Sequence, residues 1–324
     1  MKRLAFLAAI LSVGGCNPYP GGADEDGSTG EGTTGTELQC DATEPLAFAA
    51  AVYSDTDVVL KSALDSNADG FITLDEIATE PTPFTIENFR GLAMLEDGRI
   101  VVLSSETLGI WNGNSIDARV CESCEVVAGP TLAADRVVWL ISDGDEYALE
   151  SVNDSLSDPA QLWAGTLPSA PSDLAGASDG RVFLASAEGI YTFHDDDVDL
   201  TFASDSSGDG ALRRPRNLYF HSKHGLAVVG NTLGSYGFFL LPVTDDGLGA
   251  PTTVDVLGHH EFLSPIVSIH GDEFVSVRTE EVVQAGPLPP DTSGTHDVVD
   301  PDWLSASGQL WGTRDFTAMP DPCR

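Results

Sequence analysis

The chain has 324 residues, with 51 Asp and Glu against 15 Lys and Arg, a formal charge of −36. That field repels phosphate backbones and anionic headgroups, which excludes nucleic-acid binding and electrostatic adhesion to lipid. The length accommodates one large domain or two ordinary ones.

Lys2 and Arg3 precede a short apolar run from Leu4 to Val13. The run is too short to remain as a membrane-spanning helix. It is patterned as a secretory leader. Val13-Gly14-Gly15-Cys16 resembles the lipobox of bacterial lipoproteins. The resemblance implies that residues 1–15 are removed and that Cys16 carries lipid, which holds the protein at a membrane without a spanning helix. An ordinary cleaved leader with an incidental cysteine is the alternative. Asn17 stands where enteric lipoproteins kept at the inner membrane carry aspartate, so the outer membrane is favoured. The expected location is the bacterial cell envelope, facing periplasm or exterior. Residues 16–39 follow as a tether rich in Gly, Thr, Asp and Glu, without Lys or Arg. Such a segment buries too little apolar surface to order itself. Loss of the leader leaves 51 acidic against 13 basic side chains.

With Cys16 assigned to lipid, Cys40, Cys121, Cys124 and Cys323 remain. An even number in an oxidising compartment suggests two disulfides, with three possible pairings. Cys40–Cys323 would join the two ends of the folded region, and Cys121–Cys124 would close a tight loop. A redox Cys-x-x-Cys lacks a visible thioredoxin-like context, and a zinc site lacks a second ligand pair.

Residues 40–84 hold an expected strand at 46–53 and then the most specific motif of the chain. Residues 65–76 read Asp-Ser-Asn-Ala-Asp-Gly-Phe-Ile-Thr-Leu-Asp-Glu. Calcium takes six to eight oxygens at about 2.3–2.6 Å, and a twelve-residue loop supplies them from positions 1, 3, 5, 7, 9 and 12. These are Asp65, Asn67, Asp69, the Phe71 carbonyl, Thr73 and Glu76. Gly70 permits the sharp turn, and Ile72 packs the loop down. The segment resembles the EF-hand family. The resemblance implies calcium as cofactor and helices on both sides, an entering one through Val58, Val59, Leu60, Ala63 and Leu64 and a short exiting one through Leu74, Ile77 and Ala78. No intact second loop exists. The nearest candidate, which begins at Asp205, has Arg216 in its twelfth position. Sensors signal through paired helices, so a lone loop reads as a structural clamp. The competing reading is an acidic turn that binds nothing.

From residue 85 to 324 the chain is strand-like. Apolar runs alternate with turns at Asp97-Gly98, Asp135-Arg136, Asp179-Gly180, His224-Gly225, Gly271-Asp272 and Ser307-Gly308. The spacing is that of a β-propeller blade of three or four strands. The expected fold is therefore mostly β, a propeller-like ring of about six units with one helical EF-hand-like insertion near its start. The strand at 46–53 would complete the last blade. A pair of β-sandwiches is the competing architecture. The Trp-Asp signature of WD40 repeats is missing.

Enzymatic signatures are absent: no His-Glu-x-x-His, no Gly-x-Ser-x-Gly, no phosphate loop and no dinucleotide fingerprint. His259, His260, Glu261 and His270 are scattered candidates for an axial metal. The expectation is a calcium-binding, lipid-anchored binding or scaffold module for a protein or glycan ligand. A secreted propeller hydrolase or lyase acting on carbohydrates or lactones is the alternative.

Overall fold

The turns at Asp97-Gly98, Asp179-Gly180 and His224-Gly225 mark places where one strand folds back on the next. Gly98, Gly180 and Gly225 have φ of 80°, 92° and 86°, the left-handed region that glycine enters freely. A computed structural model describes residues 46–54, 57–85, 87–95, 97–105, 107–111, 116–120, 125–194, 197–204, 212–232, 236–245, 247–256, 266–270, 272–277, 283–288, 295–304 and 312–318. Within them the hairpins assemble into six four-stranded antiparallel sheets.

Blade 1 comprises Phe89–Met94, Ile100–Ser104, Thr107–Trp111 and Ile116–Val120. Blade 2 follows with Glu125–Ala133, Arg136–Asp143, Glu146–Asn153 and Ala160–Gly165. Pro171–Gly176, Val182–Ser186, Gly189–His194 and Asp197–Ala203 form blade 3. Blade 4 consists of Arg213–His221, Gly225–Asn231, Tyr236–Leu241 and Thr252–Val256. Blade 5 holds Ile266–His270, Glu273–Val277, Val283–Pro287 and His296–Asp297. The sixth blade is composite. Gly312–Ala318 is its innermost strand, and Ala47–Ser54, Asp57–Leu64 and Ile77–Thr85 complete it.

Burial explains why the ring closes. The apolar core divides into six clusters, each at one blade–blade junction. Every sheet therefore needs a neighbour on both faces, which an open row cannot give its end blades. The composite blade shows both faces most clearly. Ala49, Ala51, Val58 and Leu60 pack toward Phe89, Leu92 and Val102 of blade 1. Phe48, Ala50, Val52 and Ala63 pack toward Val275, Val277 and Val283 of blade 5. Phe48 stands opposite Ala318 in the closing ladder. A pair of separate sandwiches is excluded by this closed order.

The repeated Asp-Gly-Arg sequence has a second use. Arg99 is held by Asp97 at 2.6 Å and reaches Asp154 of the next blade at 3.3 Å. Arg181 is held by Asp179 in the same way and donates to the Thr244 carbonyl of blade 4 at 2.8 Å. Lys223 meets Asp272 across the next junction at 2.5 Å. These exposed ties hold adjacent turns in register and add little to stability.

Two expectations need correction. The described residues contain no α-helix. Val58, Val59, Leu60, Ala63 and Leu64 lie in a strand paired along its length with Ala47–Ser54. Apolar residues on both of its faces satisfy two neighbouring blades, which blurs the alternation of an ordinary strand. The expected exiting helix is a single 3₁₀ turn, Leu74–Glu76, followed at once by the strand Ile77–Thr85. Residues 47–85 are accordingly part of the ring and not a separate segment ahead of it.

Candidate metal centre

Residues 65–76 connect the second and third outer strands of the composite blade. Its first half is a series of side chains folded onto backbone amides. Asp65 Oδ1 and Asn67 Oδ1 both accept from the Asp69 N–H, at 3.2 and 3.0 Å. Asp65 Oδ2 accepts from the Gly70 N–H at 2.8 Å, and Asp69 Oδ1 from the Phe71 N–H at 2.9 Å. Positions 1, 3 and 5 of the loop are thus drawn into one turn. Gly70, at φ 83°, makes that turn possible, with open space around its Cα.

Asp65 is only 2 % exposed. Burying a carboxylate is costly unless it is hydrogen-bonded and its charge is balanced. Its recorded partners are amide N–H groups, which leave lone pairs of both oxygens unused. Glu76, at the twelfth position, accepts from the Ser66 hydroxyl at 2.5 Å, the Ser66 N–H at 2.8 Å and the Thr73 N–H at 3.0 Å. The Ser66 hydroxyl first, then the Thr73 and Ser66 amides, hold its carboxyl down to about 2. Glu76 is therefore an anion across the physiological range. The Thr73 hydroxyl contacts both Glu76 and Asp75, at 2.9 and 2.7 Å.

Among the described residues no three His, Cys, Asp or Glu side chains are gathered closely enough to hold a metal ion, and Asp65, Asp69 and Glu76 are no exception. The donors that the motif would offer an ion are mixed: carboxylates of Asp65, Asp69 and Glu76, the Asn67 amide oxygen, the Thr73 hydroxyl and the Phe71 carbonyl. Such an all-oxygen set, with few charges and a backbone donor, fits a hard cation and not zinc.

Cys16, Cys40, Cys121, Cys124 and Cys323 lie outside the described residues, as do His259, His260 and Glu261. The beginnings of the innermost strands at one mouth of the ring carry Arg90, Asp173 and Arg213. Arg90 donates to the carbonyls of Val126, Glu87 and Phe89. Asp173 accepts the Leu218 N–H of the next blade at 2.8 Å. Both tie neighbouring blades together. Two features escaped sequence reasoning. Lys61 is buried at 1 % exposure, donating to the Trp303 carbonyl with its ammonium 5.5 Å from the Trp303 ring. Its only sequence signal is a basic residue inside an apolar run of a chain poor in them. Backbone pairing of Ile72 with 298–300 has no local signal at all.

No family model matches the chain, and no curated protein matches it. Solved structures of β-propeller-type proteins do. The chain superposes on a protein from the crystal structure of a nidogen/laminin complex with TM-score 0.57 and 14 % identity, covering 86 % of this chain and 100 % of that one. A protein of unknown function from Bacteroides caccae gives TM-score 0.55 at 10 % identity, over 86 % and 100 %. TolB from Acinetobacter baumannii gives 0.51 at 11 % identity, over 79 % and 67 %. At these identities the likeness is one of fold alone.

Proposed function

We propose that the protein is a calcium-stabilised, lipid-anchored envelope protein whose propeller-like ring serves as a binding or scaffold module for a protein or glycan. The observation that carries the metal reading is the buried Asp65 carboxylate, gathered with Asn67 and Asp69 on one turn and balanced only by amides. The agreement of positions 1, 3, 5, 7, 9 and 12 with an all-oxygen calcium loop supports it. Asp65, Asn67, Asp69, Glu76, the Phe71 carbonyl and Thr73 would hold the ion, which supplies positive charge and cross-links two strands. No helix pair surrounds the loop, so the ion acts as a structural clamp.

Calorimetry with millimolar calcium tests this reading. The expected dissociation constant is on the order of 10⁻⁴–10⁻³ M, as in extracellular modules. Glu76→Gln is expected to weaken binding at least about tenfold, through loss of a charged bidentate ligand. Identical traces for both proteins would remove the metal. The anchor rests on Cys16 alone. Cys16→Ser is expected to move the protein from the membrane fraction to the soluble one, because a chain without acyl groups has nothing to bury in the bilayer. Retention of the variant in membranes would refute the anchor.

A further inference from the structure

The eighth position of the loop does more than pack. Ile72 is fully buried and forms a parallel bridge with Val299. Its N–H donates to the Val298 carbonyl at 2.8 Å, and its own carbonyl accepts the Asp300 N–H at 2.9 Å. The segment 298–300 leaves the outermost strand of blade 5 on the way to the final, closing strand. Further contacts fix it there. The Val298 N–H donates to Val283 at 3.1 Å and the Trp303 N–H to Asp300 at 2.9 Å. Trp303 sits edge-on against Phe48, with ring centroids 5.9 Å apart. At the other end of the loop, the Asp65 N–H donates to the Leu46 carbonyl at 2.8 Å, just ahead of Ala47–Ser54. Ala47–Ser54 and Gly312–Ala318 are the two strands whose pairing closes the ring. The loop thus grips the chain on both sides of the seam.

We infer that occupancy of the loop is linked to closure of the ring, with 298–300 as the loop's own pairing partner. The inference rests on the calcium reading above. Ile72 stands between two ligand positions, the Phe71 carbonyl and Thr73. Fixing its backbone against 298–300 orders both donors in advance and removes part of the entropy cost of binding. Linkage is reciprocal: an ion that prefers the ordered loop must favour the closed seam by the same factor. If the opened seam does not bind, that factor is one plus the ratio of calcium to its dissociation constant, about tenfold at a tenfold excess.

Hydrogen exchange read by mass spectrometry on the full chain tests the linkage, with and without calcium at ten times its dissociation constant. Amides in 46–52 and 298–304 are expected to exchange about tenfold more slowly with calcium. Those in 137–141 and 182–186, remote from the seam, are expected to be unchanged. Asp300→Pro removes the N–H given to Ile72 and leaves every loop ligand in place. It is expected to retain binding heat, several-fold weaker, and to lose the calcium-dependent protection of 298–304. Asp300→Ala keeps that N–H and is expected to keep the protection. Binding heat without protection at the seam of the unaltered protein overturns the linkage while sparing the metal site. Absence of any binding heat overturns both. Should Asp300→Pro fail to fold, the comparison on the unaltered chain decides.

Discussion

Gly176→Ala is expected to destabilise the ring by about 3 kcal/mol, the upper part of the ordinary range for overpacking. Gly176 ends the innermost strand of blade 3. A Cβ built there would stand 2.0 Å from the Leu132 carbonyl oxygen and 2.8 Å from the Ala133 nitrogen, both backbone atoms of blade 2. Backbone cannot swing away as a side chain can. The Gly176 N–H is also committed, to Thr131 Oγ1 at 2.9 Å. Relief would require blades 2 and 3 to separate, which would loosen the packing of Val138 and Leu140 on Leu174 and Val182. Gly91 meets the same restriction one junction earlier, where an added Cβ would stand 2.2 Å from the Gly129 oxygen. Innermost strands converge on the axis, so this is where a ring has least room. Gly144→Ala is the control. Its surroundings are open, and only a φ of 68° is unfavourable, at a cost of about 1 kcal/mol. Thermal unfolding of the two variants at fixed calcium should place Gly176→Ala several degrees lower. Equal midpoints would show that the close approach does not limit the ring.

The contrast between these glycines and the loop at 65–76 indicates what the sequence could disclose. Turn glycines and Asx turns are local, and both are legible. Asp97-Gly98 and Asp179-Gly180 sit at hairpins because a short chain reversal needs positive φ there. Loop positions 1, 3 and 5 converge because Asx side chains fold onto amides two to five residues ahead. The apolar runs Val101–Leu103 and Leu226–Val229 read as strands because they are buried on both faces. The same two-sided burial misled at Val58, Leu60 and Ala63. Leu60 faces blade 1 and Ala63 faces blade 5, so no single stripe was visible and a helix fitted the spacing. Ser307-Gly308 lies outside the described residues, and the sixth blade joins the two ends of the described chain, with Ala47–Ser54 in it as the sequence leads one to expect. The Ile72–Val299 bridge and the burial of Lys61 depend on residues far apart in sequence. No local pattern records them.

Lys61 supplies the second large effect, visible in its dependence on pH. It lies on the face of the composite blade turned toward blade 5, opposite Ala50 and beside Phe48 and Ala63. Burial pushes its ammonium down to about 8 from the usual 10.5. Its recorded partners are the Trp303 carbonyl and the Trp303 ring, which soften the loss of water without supplying a counter-charge. The sign follows from proton counting. Below pH 8 both folded and unfolded chains hold the proton, and the folded state bears the whole cost of the buried charge, about 3 kcal/mol for a depression of this size. Between 8 and 10.5 the unfolded chain holds more protons than the folded one, so stability rises with pH. Above 10.5 both are neutral and the cost has vanished. Lys61→Met keeps the length and most of the volume without the charge. The difference in unfolding free energy between the natural protein and this variant should therefore move by about 3 kcal/mol in favour of lysine from pH 7 to 10.5. Taking the difference cancels the titration of the tyrosines and other groups shared by both chains. Denaturant melts at several pH values and constant calcium measure it. Parallel pH profiles would mean that the ammonium reaches water, and that the seam beside Trp303 is looser than its packing against Phe48 implies.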